Sequence, residues 1–327
     1  MTQTEEILTS RIDLSGLQKA VARMQQELHK VVVGQQNMID FLIAALLADG
    51  HVLLEGVPGI AKTLTAKLIA QTVSVDFSRI QFTPDLMPSD VIGTSVFNMK
   101  KADFEFNRGP LFSNLILIDE INRAPAKTQA ALFEVMEERQ ITVDGTTYVM
   151  EKPFIVIATQ NPIEQEGTYR LPEAQIDRFL FKIEVDYPSS QEESILLAEF
   201  HQRKNHHDFR DVKAVLTAKQ LFDYQKKVAS VLMTQKIIDY IVQIVRHTRN
   251  HPALFLGGSP RASLAMMTGA QAFAAMQGRD FVTPEDVQRV VYPALRHRLL
   301  LAPEKEMEGA RPDDIIKQIV EKIEVPR

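Results

Sequence analysis

The chain has 327 residues, with 37 lysines and arginines against 42 aspartates and glutamates and a formal net charge of -5. At about 150 residues per domain this length predicts two domains, and 45% apolar with 24% charged residues is the composition of a globular protein with a sizeable core. The acidic balance argues against a protein whose main work is neutralising nucleic-acid phosphates, and the lack of cysteine excludes disulfides, thiolate metal sites and cysteine nucleophiles.

Residues 1–10 are polar and acidic and lack the apolar stretch of a signal peptide. No apolar run approaches the ~20 residues needed to span a membrane, so a soluble, cytoplasmic protein is expected. Leu14, Leu17, Val21, Met24, Leu28 and Val31 are spaced as one face of an amphipathic helix. Val32-Val33-Gly34-Gln35 interrupts it, and a second helix carries Ile39, Leu42, Ile43, Leu46 and Leu47 up to Asp49-Gly50. Residues 51–55 read as a short buried strand, 63–71 as a helix and 79–82 as a strand. The run Leu115-Ile116-Leu117-Ile118-Asp119 is continuous and apolar, as a central parallel strand buried on both faces should be. A helix over 126–138, a strand over 154–158, a short helix over 173–179 and a strand over 181–185 follow. Strands alternating with helices predict a parallel α/β sheet covered on both faces.

Two hairpins break that alternation. One pairs 140–143 with 147–150 around Asp144-Gly145, a strong two-residue turn signal. The other pairs 96–99 with 104–107. After Tyr187-Pro188 the strand signals vanish, and Ser259-Pro260 and Thr283-Pro284 each read as an N-cap followed by proline at the first helical position. The expected division is therefore an α/β domain over 1–187 and a helical domain over 188–327. His201 to His207 (HQRKNHH) reads as a solvated loop. Its three histidines could bind a metal but lack an acidic partner.

The sharpest chemical feature is Gly56-Val57-Pro58-Gly59-Ile60-Ala61-Lys62-Thr63, which follows a strand and opens a helix. Glycines there let backbone N–H groups approach phosphate oxygens, and the helix N-terminus adds its dipole. Lys62 would reach the outer phosphates of a nucleotide and the Thr63 hydroxyl would bind Mg²⁺. The generic pattern has glycine immediately before the lysine. Ala61 is acceptable if it already lies in the first helical turn with negative φ, whereas Gly59 has no such excuse. An ordinary strand–helix turn would also satisfy this loop taken alone.

Asp119-Glu120 closes the apolar strand about sixty residues later, at the end of a parallel strand where open α/β sheets bind ligands. Asp119 would hold Mg²⁺ and Glu120 would orient or deprotonate the attacking water. Asn161, in Ala158-Thr159-Gln160-Asn161-Pro162, could hydrogen-bond the γ-phosphate or that water; a turn-forming Asn-Pro is the alternative. Arg178 follows Asp177 at the end of the short helix, just before the last strand, and Arg261 lies in the first turn after Ser259-Pro260, where a cation opposes the helix dipole. That conflict points to an anion elsewhere for Arg261, and solvated surface positions are the alternative for both arginines.

With these residues assembled, the chain resembles the MoxR family of AAA+ ATPases over essentially its whole length, from Val33-Gly34-Gln35 to the C-terminal helices. The segments that carry the resemblance are GVPGIAKT (56–63), LILIDEINRAPAKTQAALFEVMEERQITVDG (115–145), ATQNPIEQEGTYRLPEAQIDRF (158–179) and GGSPRAS (257–263). Alanine at position 61 is itself usual in that family.

The resemblance implies a five-stranded parallel sheet of order 5-1-4-3-2 with helices on both faces, and a C-terminal all-α lid. It makes Gly56 to Thr63 the Walker A loop, with Leu64 beside it on the nucleotide, and Asp119-Glu120 the Walker B pair. Asn161 matches sensor 1, Arg261 matches sensor 2 on the lid, and Val33, Gly34 and Gln35 match the segment lining the adenine. Arg178 matches the arginine finger that one subunit offers its neighbour's nucleotide, which implies a homo-oligomer, expected as a hexameric ring. The hairpin at 96–107 is similar to the helix-2 insert shared with magnesium chelatase and MCM relatives. Arg123 could face the subunit boundary or form a structural salt bridge.

ATP and Mg²⁺ are the implied cofactors. The implied activity is ATP hydrolysis coupled to remodelling, maturation or metal loading of a protein client, usually one with a von Willebrand factor A domain. Two other readings are a nucleic-acid motor of the MCM type and a poorly hydrolysing nucleotide switch that acts as a scaffold. The acidic balance argues against the first, and the joint presence of Glu120, Asn161 and Arg178 argues against the second.

Overall fold

A computed structural model describes residues 12–162, 168–202 and 212–326. The N-terminal residues 1–11, and residues 203–207 of the histidine-rich stretch, lie outside the described residues; His201 and Gln202 are the last two residues of a helix. The chain begins with helices α1 (Ser15–His29) and α2 (Gln36–Leu47). Leu14, Leu17, Val21, Met24 and Leu28 are buried as their spacing predicts. Because α1 ends at His29, Val32 rather than Val31 continues the buried face.

The alternating stretch then runs β1 (Val52–Glu55), α3 (Lys62–Val73), β2 (Phe77–Gln81), α4 (Pro88–Ile92), the hairpin β3 (Gly93–Asn98) and β4 (Asp103–Arg108), β5 (Leu115–Asp119) and α5 (Ala126–Glu138). The hairpin β6 (Gln140–Val143) and β7 (Thr146–Val149) follows, then β8 (Ile155–Gln160), α6 (Glu173–Ile176) and β9 (Phe181–Glu184). Five of these strands form one parallel sheet in the order β2-β5-β8-β1-β9. Renumbered within the sheet, that is the expected 5-1-4-3-2. All five residues of β5 are buried, as are the first five of β8. In contrast β2 is an edge strand, and of its five residues only Ile80 is buried.

The hairpins stand outside the sheet and pack on one another. The Phe106 and Tyr148 rings stack at 4.9 Å, and Ser95 Oγ donates to Asp144 Oδ2 at 2.5 Å.

The rest of the chain holds α7 (Ser190–Gln202), α8 (Ala218–Ala229), α9 (Gln235–Arg249), β10 (Leu254–Leu256), α10 (Pro260–Met276), α11 (Pro284–Leu295), β11 (Leu300–Leu301), α12 (Pro303–Met307) and α13 (Pro312–Lys322). Both expected N-caps form. Ser259 Oγ accepts from the Arg261 N–H, and Thr283 forms a capping box with Asp286. Ile237, Tyr240, Ile241, Ile244 and Val245 bury one stripe of α9, whereas α10 buries eleven of its seventeen residues and is apolar nearly all round. One detail departs from the sequence reading. β10 and β11 pair antiparallel in this otherwise helical region, and strands of three and two residues are too short to show a period.

Contacts group the chain into two compact units, residues 24–221 and residues 1–23 with 222–327. The expected division was at residue 187/188. Segment 212–221 joins the sheet-bearing unit because Thr72 O accepts from the Val215 and Leu216 N–H groups at 2.7 and 3.0 Å and Gln71 Nε2 donates to Val212 O at 2.7 Å. The start of α1 groups with the C-terminal helices through Gln18 Nε2, which donates to Gln277 O, and Asp13 O, which accepts from Lys227 Nζ.

Candidate active site

The glycine loop joins β1 to α3 at the carboxyl end of the sheet. Its glycines serve different needs. A Cβ on Gly56 would lie 2.4 Å from Val185 O, so that position must be glycine for close approach. Gly59 has open space around it but adopts φ 87, a left-handed conformation that other residues rarely take.

Ala61 corrects the sequence expectation. It lies just outside the helix as its N-cap, with φ 62 and ψ 17. Alanine is therefore held in the left-handed region, at a cost of roughly 1–2 kcal/mol relative to its preferred conformations. The glycine of the generic pattern is accounted for by that backbone. Alanine here is a strained residue in the same geometry.

No side chain caps α3, so the unpaired N–H groups of its first turn are left to an anion or solvent. Lys62 Nζ turns back to donate to Gly56 O. Burial pulls the Lys62 ammonium below its ordinary pKa, against the opposing charges of Asp119, Glu120 and Glu55.

β5 delivers the acidic pair beside this loop. Asp119 is 6% exposed, and its carboxylate accepts from Thr63 Oγ1 at 3.3 Å, Thr159 Oγ1 at 3.3 Å and Arg79 Nε at 2.6 Å. Glu120 sits in the left-handed region with φ 57. Its backbone N–H donates to Thr159 Oγ1, and its carboxylate accepts from Gln81 Nε2 at 3.0 Å and Arg123 Nη1 at 3.1 Å. Arg123 thus makes the salt bridge that the sequence left as one of two options.

A cleft of about 380 Å³ collects these groups, including Lys62, Thr63, Asp119, Glu120 and Asn161. Pro58, Gly59, Ala61 and Leu64 also line it, while Gly56, Val57 and Ile60 do not; Ile60 is buried beneath the loop.

Other expected site residues lie apart from the cleft lining. Gly34 and Gln35 adopt left-handed φ of 67 and 55 at the start of α2, and Gln35 Nε2 donates to Asp186 O at 3.0 Å. Val33 and these two residues therefore neighbour the chain that packs on Gly56. Arg178 Nη1 donates to Phe133 O at 2.6 Å and pairs with Glu137 at 3.4 Å, so it is seated against α5 of its own chain. Arg261 lies on the first turn of α10, in the unit that does not carry the loop.

Three residues lining the cleft were missed from the sequence: Arg79, Gln81 and Thr159. Thr159 stood beside Asn161 in the same motif and could have been read as its partner. The other two lie on β2, and only the pairing of β2 with β5, with Gln81 opposite Asp119, brings them to the acids.

The oxygen set suits a hard cation. Thr63 Oγ1 and the Asp119 carboxylate lie within hydrogen-bond distance of one another, and Mg²⁺ ordinarily takes one or two such protein ligands together with water and phosphate oxygens. Among the described residues, no group of three or more histidines and carboxylates is placed to hold a metal ion.

Comparison with known proteins places the fold in a family. Residues 51–181 match the family model described as ATPase family associated with various cellular activities (AAA), and residues 246–319 match one described as AAA lid domain. The fold is thus that of an AAA-type ATPase. The chain is 45% identical to the uncharacterized protein YeaC of Bacillus subtilis, covering 95% of this chain and 96% of that one. It is 42% identical to the chaperone MoxR1 of Mycobacterium tuberculosis, covering 92% and 81%. A crystal structure of a candidate ATPase from Cytophaga hutchinsonii superposes with a TM-score of 0.88 at 41% identity, covering 95% and 96%. The chain belongs to the MoxR family of AAA+ ATPases. No described helix is long and apolar enough to cross a membrane.

Proposed function

We propose that this chain binds ATP with Mg²⁺ and hydrolyses it, and that turnover drives remodelling or maturation of a protein client. One observation carries the reading. An uncapped helix N-terminus, a lysine, a hydroxyl, two carboxylates and an asparagine line a single cleft at the carboxyl end of a parallel sheet. In this reading the loop N–H groups and Lys62 bind the phosphates, and Thr63 and Asp119 hold Mg²⁺, which supplies charge neutralisation at the transferring phosphoryl group. Glu120 accepts the proton of the attacking water, and Asn161 orients it. Gln81 and Arg123 both donate to Glu120 Oε2, so they orient the carboxylate while Oε1 is the oxygen that accepts the proton.

Val33, Gly34 and Gln35 serve the adenine, and Arg261 on the lid unit serves the phosphates. Arg178 acts on a neighbouring subunit's nucleotide in a hexameric ring, which requires it to leave Phe133 O and Glu137. The client would be a protein, with a von Willebrand factor A domain protein as the first to try.

Glu120→Gln tests the chemistry. It is expected to bind ATP as the parent does and to lower steady-state hydrolysis by about 10²-fold or more; hydrolysis that survives the change overturns the assignment. For Arg178, mixing Arg178→Ala with Lys62→Ala subunits should restore activity at sites that pair an intact loop with an intact finger. No rescue at any mixing ratio counts against a finger acting in trans. The Glu120→Gln variant loaded with ATP is also the trap in which a client would remain bound.

A further inference from the structure

We propose that Arg79 is the resident counter-ion of Asp119, which a divalent cation must displace, so that this edge-strand residue sets how strongly nucleotide binding depends on Mg²⁺. The inference rests on the nucleotide reading above and deepens it.

A buried carboxylate needs a compensating charge. Asp119 is 6% exposed, and two cations stand near it in the cleft. Lys62 directs its ammonium to Gly56 O. Arg79 instead donates Nε–H to Asp119 Oδ2 at 2.6 Å, a charge-assisted bond shorter than those from Thr63 and Thr159. The resident positive charge on Asp119 is therefore the guanidinium.

The backbone makes this arrangement specific. β2 pairs with β5 so that Arg79 lies opposite Leu117 and Gln81 opposite Asp119. Side chains two apart share a strand face, so Arg79 and Gln81 address the two acids in turn, Asp119 and Glu120. Because β2 is the sheet edge and the Arg79 side chain is 55% exposed, the guanidinium can withdraw into solvent without opening the core.

A divalent cation held by Thr63 and Asp119 would share one carboxylate with the guanidinium, and the two positive charges repel at that distance. Metal entry and the Arg79 contact thus oppose one another, even though Arg79 meets Oδ2 and Thr63 lies nearer Oδ1. While Arg79 is in place it also screens Asp119 from nucleotide phosphates, which supports metal-free nucleotide binding.

The test uses a fluorescent ADP analogue on the full chain and reads the dissociation constant with Mg²⁺ and with EDTA, so it needs no turnover. In Arg79→Gln the ratio of metal-free to Mg²⁺-containing constants is expected to rise about tenfold, as the lost screening weakens the first and the lost competitor strengthens the second. In Arg79→Lys, which keeps the charge but loses the side-on Nε–H, a rise of about threefold is expected. Thermal melts without nucleotide report folding of each variant, and either variant that folds is informative by itself. An unchanged ratio overturns the proposal, because a purely structural ion pair would move the melt and leave the ratio alone. A fall in the ratio, through weaker binding with Mg²⁺, also overturns it and makes Arg79 a phosphate ligand. Failure of the parent chain to bind the ADP analogue at all would strike the nucleotide reading itself, a different result.

Discussion

The two ends of the central sheet are built from the same strands and partner their polar groups differently. At the amino end, most polar groups are paired within the fold, with Asp49 Oδ1 a buried exception. His51 Nδ1 accepts from the Val156 N–H at 3.0 Å, its Nε2 lies 3.2 Å from Met136 O, and its ring meets Phe154 edge-on at 5.8 Å. Arg139 forks onto the Asp49 carboxylate and carbonyl at 2.7 and 2.8 Å. At the carboxyl end, two residues sit in left-handed conformations, a helix lacks a cap, and two carboxylates depend on partly exposed donors from an edge strand. Left-handed residues occur at both ends, Asp49 and Arg139 at the amino end with φ 55 and 51, so the difference lies in the partners of the polar groups and not in backbone strain. One end holds the strands together, and the other keeps groups ready to exchange partners with a ligand.

The largest effect should come from breaking the amino end. Phe154→Ala is expected to cost about 3–5 kcal/mol of stability, measured by urea unfolding, while the surviving folded fraction still binds nucleotide. Next comes pH. Burial, with help from the Arg139 charge, lowers the His51 pKa from 6.5 to about 4. The folded state therefore holds His51 neutral where the unfolded chain would protonate it. That contribution is fully present above pH 6.5 and is lost as pH falls towards 4, for a change of about 3 kcal/mol. Unfolding midpoints measured across this window should show the slope, and His51→Gln should flatten it.

At the carboxyl end the pattern should invert. Lys62→Ala is expected to weaken nucleotide binding by at least about a hundredfold, roughly 2.7 kcal/mol, in a binding titration, with little change in the melt. The comparison would break if this variant unfolded instead. The smallest effect should come from Ala61→Gly, which keeps the backbone and removes the strained Cβ. Stability is expected to rise by up to about 1 kcal/mol, read as the urea midpoint, and a clear loss would mean that the left-handed alanine carries no strain.

Much of this contrast was legible in the residues. β5 and α5 fall where their apolar patterns place them, because a continuous apolar run marks a strand buried on both faces and recurring apolar residues mark the buried face of a helix. Lys62, Thr63, Asp119, Glu120 and Asn161 were readable because each ends or follows a strand that could itself be read, and a parallel sheet gathers such ends. The parts that were not readable depend on neighbours. Arg79 and Gln81 look like ordinary exposed residues of an edge strand until β2 is paired with β5. The left-handed φ of Ala61 is set by the turn into α3, which alanine's own preferences would not predict. Arg178 reads as an arginine finger or a solvated surface residue; its seat against the Phe133 carbonyl is a tertiary contact that no local pattern encodes.

The stacked rings of Phe106 and Tyr148 have a mechanical consequence. They tie together two hairpins that leave the chain more than thirty residues apart. β6 continues directly from α5, the helix that follows Glu120 and Arg123, and β3 continues from α4, a few residues beyond Arg79 and Gln81. Both chain segments beside the acidic pair therefore lead to one arm, whose outer hairpin carries the exposed Phe97 and Phe104 on its strands and Met99 in its turn. Phe97 and Phe104 meet edge-on there at 5.3 Å, so the exposed end of the arm is itself braced by an aromatic pair.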